Sequence, residues 1–186
     1  FPDFISFPNL FNPHGFTSKL FFNNYIIGIV FGLYTLALWA MFNYGVLETG
    51  NYIRYATLNN DMLTASPLIY LITYCIDEAF SILPFIVVIL LIHLITKSKW
   101  MPIIISSLIF GLTTTTGTDP ISLGCIYFVI INLMWGYLLF EYGILSVIIC
   151  SFSSSLFKHS AHYYYTGEAT YITTGIIATL LLLSPV

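Results

Sequence analysis

The chain has 186 residues, of which 58% are hydrophobic, 18% aromatic and only 7% charged. A soluble domain is about 25% charged, so five Lys+Arg and eight Asp+Glu cannot clothe a water-facing surface, and the same apolarity excludes intrinsic disorder. A net charge of −3 without clustered cations also excludes a nucleic-acid partner, because phosphate neutralisation needs concentrated positive charge. What remains is an integral, multi-pass membrane protein: all-α, a polytopic transmembrane helix bundle of about six spans. Its expected partners are the lipid bilayer and other membrane subunits.

Residues 1–23 hold Phe1, Phe4, Phe7, Phe11, Phe16, Phe21 and Phe22, interrupted by Pro2, Pro8 and Pro13. Proline forbids one continuous helix, and aromatic rings favour the membrane–water boundary, so this reads as an interfacial segment. The chain starts at Phe rather than Met, as a processed or partial chain would, and shows no signal-peptide pattern. The transmembrane domain is expected over residues 24–186. Its first span covers 24–47 and carries Gly28 and Gly32 at GxxxG spacing, which lets another helix approach closely. Residues 48–66 are the most polar stretch, with Glu48, Asn51, Arg54, Asn59, Asn60 and Asp61, and must lie outside the hydrocarbon.

A second span covers 67–95, with Asp77, Glu78 and Pro84 inside it and Lys97, Lys99 and Trp100 closing it. A third covers 101–116 and ends in Thr113–Thr116. Gly117 to Pro120 reads as a tight turn. A fourth span runs over 121–140 and a short fifth over 144–157. Residues 158–168 read as a polar, Tyr-rich connection, and a last span begins near Ala169. Lys19, Lys97 and Lys99 fall on one side if the N-terminus is cytoplasmic, with Arg54 and Lys158 on the other. The three cysteines, Cys75, Cys125 and Cys150, sit in apolar runs with no metal or redox spacing and read as small buried hydrophobes.

Asp77 and Glu78 are the most informative residues. They stand about ten residues into an apolar span, where a carboxylate costs about 2.5 kcal/mol or more. Ser81 is close enough along a helix to share their face. The pair is either a site in the bundle or a hydrogen-bonded lock on helix packing. Thr113–Thr116 are expected to back-bond to carbonyls one turn earlier. Ser151 and Ser153–Ser155 are expected to let helices pack closely. His159 and His162, three apart, followed by Glu168, form a weak metal-binding pattern. His93, one turn before Lys97, is a candidate axial ligand for a haem or chlorin; His14, in the Pro/Phe-rich start, says little.

From the second span onward the chain resembles the CAAX-processing-type (CPBP) intramembrane proteases, whose motifs are EExxxR, then FxxxH, then HxxxN or HxxxD. Asp77 and Glu78 stand where the family has its two Glu, and the run from Trp100 through Phe110 to Thr114 looks like the one ending in FxxxH. The run from Gly136 to Gly143 resembles the segment before the last motif, and the run from Ile144 to Leu156 the helix that carries it. The resemblance covers residues 70–157. It departs at each partner of the Glu: Ile82 replaces the Arg, Thr114 the first His, Ser151 or Phe152 the second His, and Ser155 or Leu156 the Asn. In the family those Glu and His hold and activate a metal-bound water. Hydroxyls and apolar groups do not replace imidazoles as transition-metal ligands, so the resemblance implies a protease scaffold without its catalytic metal site.

Three readings follow. The first is a non-catalytic CPBP-like scaffold or accessory subunit that needs no cofactor. The second is an enzyme with unfamiliar ligands drawn from Asp77, Glu78, His159, His162 and Glu168; it fails if the histidines lie more than about 8 Å from Glu78, given ligand bonds of about 2.0–2.2 Å. The third is a tetrapyrrole-binding subunit of a respiratory or photosynthetic complex, with His93, His159 or His162 as ligand. A transporter is disfavoured, since no repeat is visible and the only acidic cluster traces no path.

Overall fold

The computed structural model describes residues 19–48, 52–53, 67–113, 118–119, 121–165 and 169–183. Among these the architecture is an all-α bundle of membrane type: α1 (Lys19–Glu48), α2 (Pro67–Phe80), α3 (Leu83–Thr96), α4 (Trp100–Thr113), α5 (Ile121–Tyr142), α6 (Ile144–Tyr165) and α7 (Ala169–Leu183). Two short strands, β1 (Tyr52–Ile53) and β2 (Thr118–Asp119), pair antiparallel, with Tyr52 opposite Asp119. Three stretches are long and apolar enough to cross a membrane: Phe21–Glu48, Pro67–Thr96 and Ser122–Tyr142. Helices suit such sequence because each backbone N–H and C=O is satisfied within its own segment.

The expected second span is broken in two. Its first half ends at Phe80, Ser81 N–H donates to Asp77 O at 2.9 Å, and α3 restarts with Pro84 in its first turn. Proline has no N–H to give and a φ already suited to a helix start. The expected fifth span is longer than its apolar run, since α6 continues from Phe157 through Lys158 and His159 to Tyr165. Residues 158–165, expected as a connection, are therefore helical. Gly143 separates α5 from α6. Its φ of +86° is a left-handed conformation that only glycine adopts freely, and its N–H returns to Leu139 O at 3.1 Å, closing the helix end. Of the expected turn at 117–120, only Thr118 and Asp119 are described, as strand β2.

Helix α6 is the hub, packing against α1, α2, α5 and α7. It runs parallel to α1: a Cβ at Gly28 would lie 2.7 Å from Ile149 Cβ and 2.9 Å from Ser146 O, and one at Gly32 would lie 3.0 Å from Cys150 O and collide with Ser153 Oγ. Only glycine permits this approach, so the GxxxG face is spent inside the chain. Helix α5 runs antiparallel to α1, with Phe42 stacked on Tyr127 at 4.8 Å and Thr35 Oγ1 3.9 Å from Met134 Sδ.

One buried cluster joins Ile29, Leu71, Cys75, Leu156 and Ala178 across α1, α2, α6 and α7. A second joins Ile82, Phe85, Ile86, Ile89, Leu138, Leu139, Val147 and Cys150 across the α3 end of the break, α5 and α6. Cys75 and Cys150 are thus core hydrophobes, while Cys125 is half-buried; all three are free thiols. These directions bring Lys19, the Lys97–Lys99 turn and the Gly143 corner to one end of the bundle. There Lys99 pairs with Glu141, and its Nζ lies 5.4 Å from the Trp100 ring centre and 5.6 Å from that of Tyr137. Glu48 and the strand pair mark the other end.

Candidate functional site

The polar centre of the bundle is built where α2 crosses α6. The two helices are antiparallel, with Tyr74 edge-on to His159 at 4.5 Å and Glu78 one turn further along α2, beside Ser155. On α6 the residues Ser151, Ser155 and His159 recur every four positions and so form one stripe. Each member meets Glu78. The Ser155 hydroxyl donates to Glu78 Oε2, His159 Nε2 lies 3.7 Å from the same oxygen, and Ser151 Oγ donates to Glu78 O at 3.5 Å. Ser81 Oγ donates to the same carbonyl at 2.6 Å. The helix break is the local cause: where α2 ends, its last carbonyls lack intrahelical N–H partners, and two serine hydroxyls supply donors.

Magnitudes show what this arrangement needs. A carboxylate near the centre of a bilayer costs about 2.5–3.5 kcal/mol. A hydrogen bond between membrane helices returns about 0.6 kcal/mol on average and at most about 1.7. The Ser155 hydroxyl alone therefore falls short; the His159 imidazole stands at ion-pair distance from the same oxygen, 3.7 Å, and the Glu78 side chain stays partly exposed. The result is a polar clamp between two helices, a carboxylate held by a hydroxyl and an imidazole.

As a transition-metal centre this donor set does not fit. Glu78 and His159 are two potential ligands, hydroxyls do not stand in for imidazoles, and protein sites for such ions supply three or four ligands. Among the described residues, no three His, Cys, Asp or Glu side chains gather closely enough to hold an ion. The side chain of His162, the whole of Glu168 and Thr114, the expected first motif position, lie outside the described residues.

The expected site residues separate. Asp77 and Glu78 do not act as a pair: Glu78 turns into the α2–α6 contact, whereas Asp77 is exposed. Adjacent helical positions are about 100° apart, so one face could not hold both. Ser81 serves the Glu78 backbone rather than either carboxylate. His93 belongs to another part of the molecule, roughly 20 Å further along the α2–α3 run at 1.5 Å per residue. Its Nδ1 lies 2.8 Å from Ser98 O and its ring packs edge-on to Phe140 at 5.0 Å, so it braces the α3–α4 turn beside Lys97, which has a φ of 53°. Ile82, at the family's Arg position, is buried in the second core cluster. Phe152 packs on the first cluster, of which Leu156 is a member.

Sequence reading did not find the Ser151–Ser155–His159 stripe as one unit. The signal was there, as a four-residue spacing, but placing a boundary after Phe157 detached His159 from the serines. Comparison with protein-family models, with curated proteins and with solved structures gives no match to this chain.

Proposed function

We propose that this chain is a multi-pass membrane protein acting as a scaffold or accessory subunit of a membrane complex, on a CPBP-type protease scaffold whose catalytic ligands have been replaced. The observation that carries this reading is the fate of Glu78. In the family that position serves a metal-bound water; here its carboxylate is engaged by Ser155 and His159 of a neighbouring helix. The family's imidazole and amide positions on α6 are taken by serines or by core residues. Such a centre holds helices together and leaves the outer helix surfaces for lipid and for other subunits.

A metal-dependent activity with non-standard ligands is the second reading. It draws on the 3.7 Å between His159 Nε2 and Glu78 Oε2, well within the separation at which the two could share one ion. It needs a third ligand from His162 or Glu168, because Asp77 faces away.

Glu78→Gln distinguishes the two. The amide still accepts from Ser155 but no longer carries charge. The wild-type and variant chains are purified gently from native membranes, their co-purifying chains quantified, and the activity of the parent assembly measured. The scaffold reading predicts the same chains in the same ratios and an activity within about twofold, as expected of a residue outside the chemistry. An intact assembly that has lost its activity would overturn it.

A further inference from the structure

Asp77 has no function in the clamp, and among the described residues it has no ion-pair partner. It is exposed on α2, in line with exposed Thr73 one turn before and exposed Ser81 one turn after. Exposed Ile69, Ile76 and Phe80 border this polar row. Among the described residues the two side-chain ion pairs are Lys99–Glu141 and His159–Glu78, so none involves Asp77. Its depth follows from its neighbour, because Glu78 is level with Ser155 near the midpoint of α6. Along the candidate span Pro67–Thr96, Asp77 stands about 15 Å from one end and about 28 Å from the other at 1.5 Å per residue, so it falls inside a hydrocarbon core of about 30 Å centred on that span. Ionisable groups at that depth face a bundle interior or an aqueous cavity, and they find partners. Asp77 faces outward from the bundle that the described helices form.

We propose that the row formed by Thr73 and Asp77 of α2 and Ser81 just beyond its end is the docking face for a transmembrane helix of another protein that carries a Lys or Arg at the depth of Asp77. Asp77 pairs with that cation, the Thr73 hydroxyl offers a neighbouring hydrogen bond, and Ile69, Ile76 and Phe80 pack against the partner's apolar flanks. This deepens the accessory-subunit reading and rests on the chain crossing the membrane. Charge complementarity argues against a second copy of this chain. Among the described residues, its Lys19, Lys97 and Lys99 lie at one end of the bundle, and Lys158 sits over the Trp39 ring on the α1 side, 5.4 Å from its centre; Arg54 lies outside the described residues. A two-fold contact through α2 would also set Asp77 against its own copy.

The test places a photo-crosslinking benzophenone amino acid at Thr73 in the full chain and irradiates native membranes. The expected result is an adduct with one other protein, on an apolar segment within about one helical turn of a Lys or Arg. Asp77→Asn should lower its yield about tenfold or more, as loss of one member of a desolvated pair does. Asp77→Lys should abolish it, and replacing the partner's cation with Asp should restore it. Asp77→Asn is nearly isosteric and keeps the test open if Asp77→Lys does not fold. Adducts with lipid alone, with a second copy or with a helix lacking a cation would overturn the proposal, as would an unchanged yield in Asp77→Asn. If a fixed set of chains still co-purifies in that event, only the docking face is lost. If no chain co-purifies, the accessory reading falls as well.

Discussion

At the scale of single residues, two adjacent carboxylates meet different fates because a helix turns about 100° between them. Glu78 is drawn into the bundle by Ser155 and His159, while Asp77 is left on its surface. The sequence announced both as anomalies, since charge inside an apolar run is costly. It did not say which would turn inward, because that depends on where α6 lies around α2. Removing a donor from the clamp leaves the carboxylate under-compensated. Ser155→Ala is expected to lower stability by about 1 kcal/mol, in the range for hydrogen bonds between membrane helices. His159→Ala is expected to cost more, about 2 kcal/mol, since it removes the ring stacked edge-on to Tyr74 as well as the polar partner. Unfolding in mixed micelles, followed by loss of helicity, measures both. Equal stability of wild type and both variants would show that the clamp holds nothing together.

At the scale of elements, apolar runs gave the approximate places of the helices, and the six expected segments all contain described helix, one of them two helices. Two features departed for physical reasons. The second segment breaks at Ser81–Ile82, where Pro84 brings no N–H and the Ser81 and Ser151 hydroxyls donate to the Glu78 carbonyl instead. The sixth helix outlasts its apolar run because polar Ser155 and His159 face Glu78 rather than lipid. Helix pairing was legible only as a possibility, in the glycine spacing of α1, and its partner proved to be α6 of the same chain. Gly28→Leu should therefore damage this fold itself, by roughly 1–3 kcal/mol, as overpacking does. Gly45, where an added Cβ would meet nothing within 4 Å, is the control: Gly45→Ala should be neutral or stabilise by about 0.5–1 kcal/mol through higher helix propensity. Thermal unfolding in detergent compares them, and equal effects at both positions would contradict the close α1–α6 packing.

At the scale of the whole molecule, composition alone identified the class, since 7% charged residues cannot dress a soluble surface. The bundle adds an axis. One end gathers Lys19, Lys97 and Lys99 with the Lys99–Glu141 pair, and the other carries Glu48 and the strand pair. Exposed Val30, Met41, Ile95, Leu112 and Leu180 spread along the outside, as suits lipid or neighbouring subunits. The function was less legible, because the resemblance rested on the order of motifs while the chemistry depends on which side chains meet. In this bundle Glu78 and His159 would cross-link helices rather than hold an ion. Metal content per chain, measured on protein purified gently from native membranes, separates these two roles, with His159→Ala in parallel. Far less than one transition-metal ion per chain is expected, with no difference in His159→Ala. One ion per wild-type chain, lost in His159→Ala, would contradict the cross-linking role.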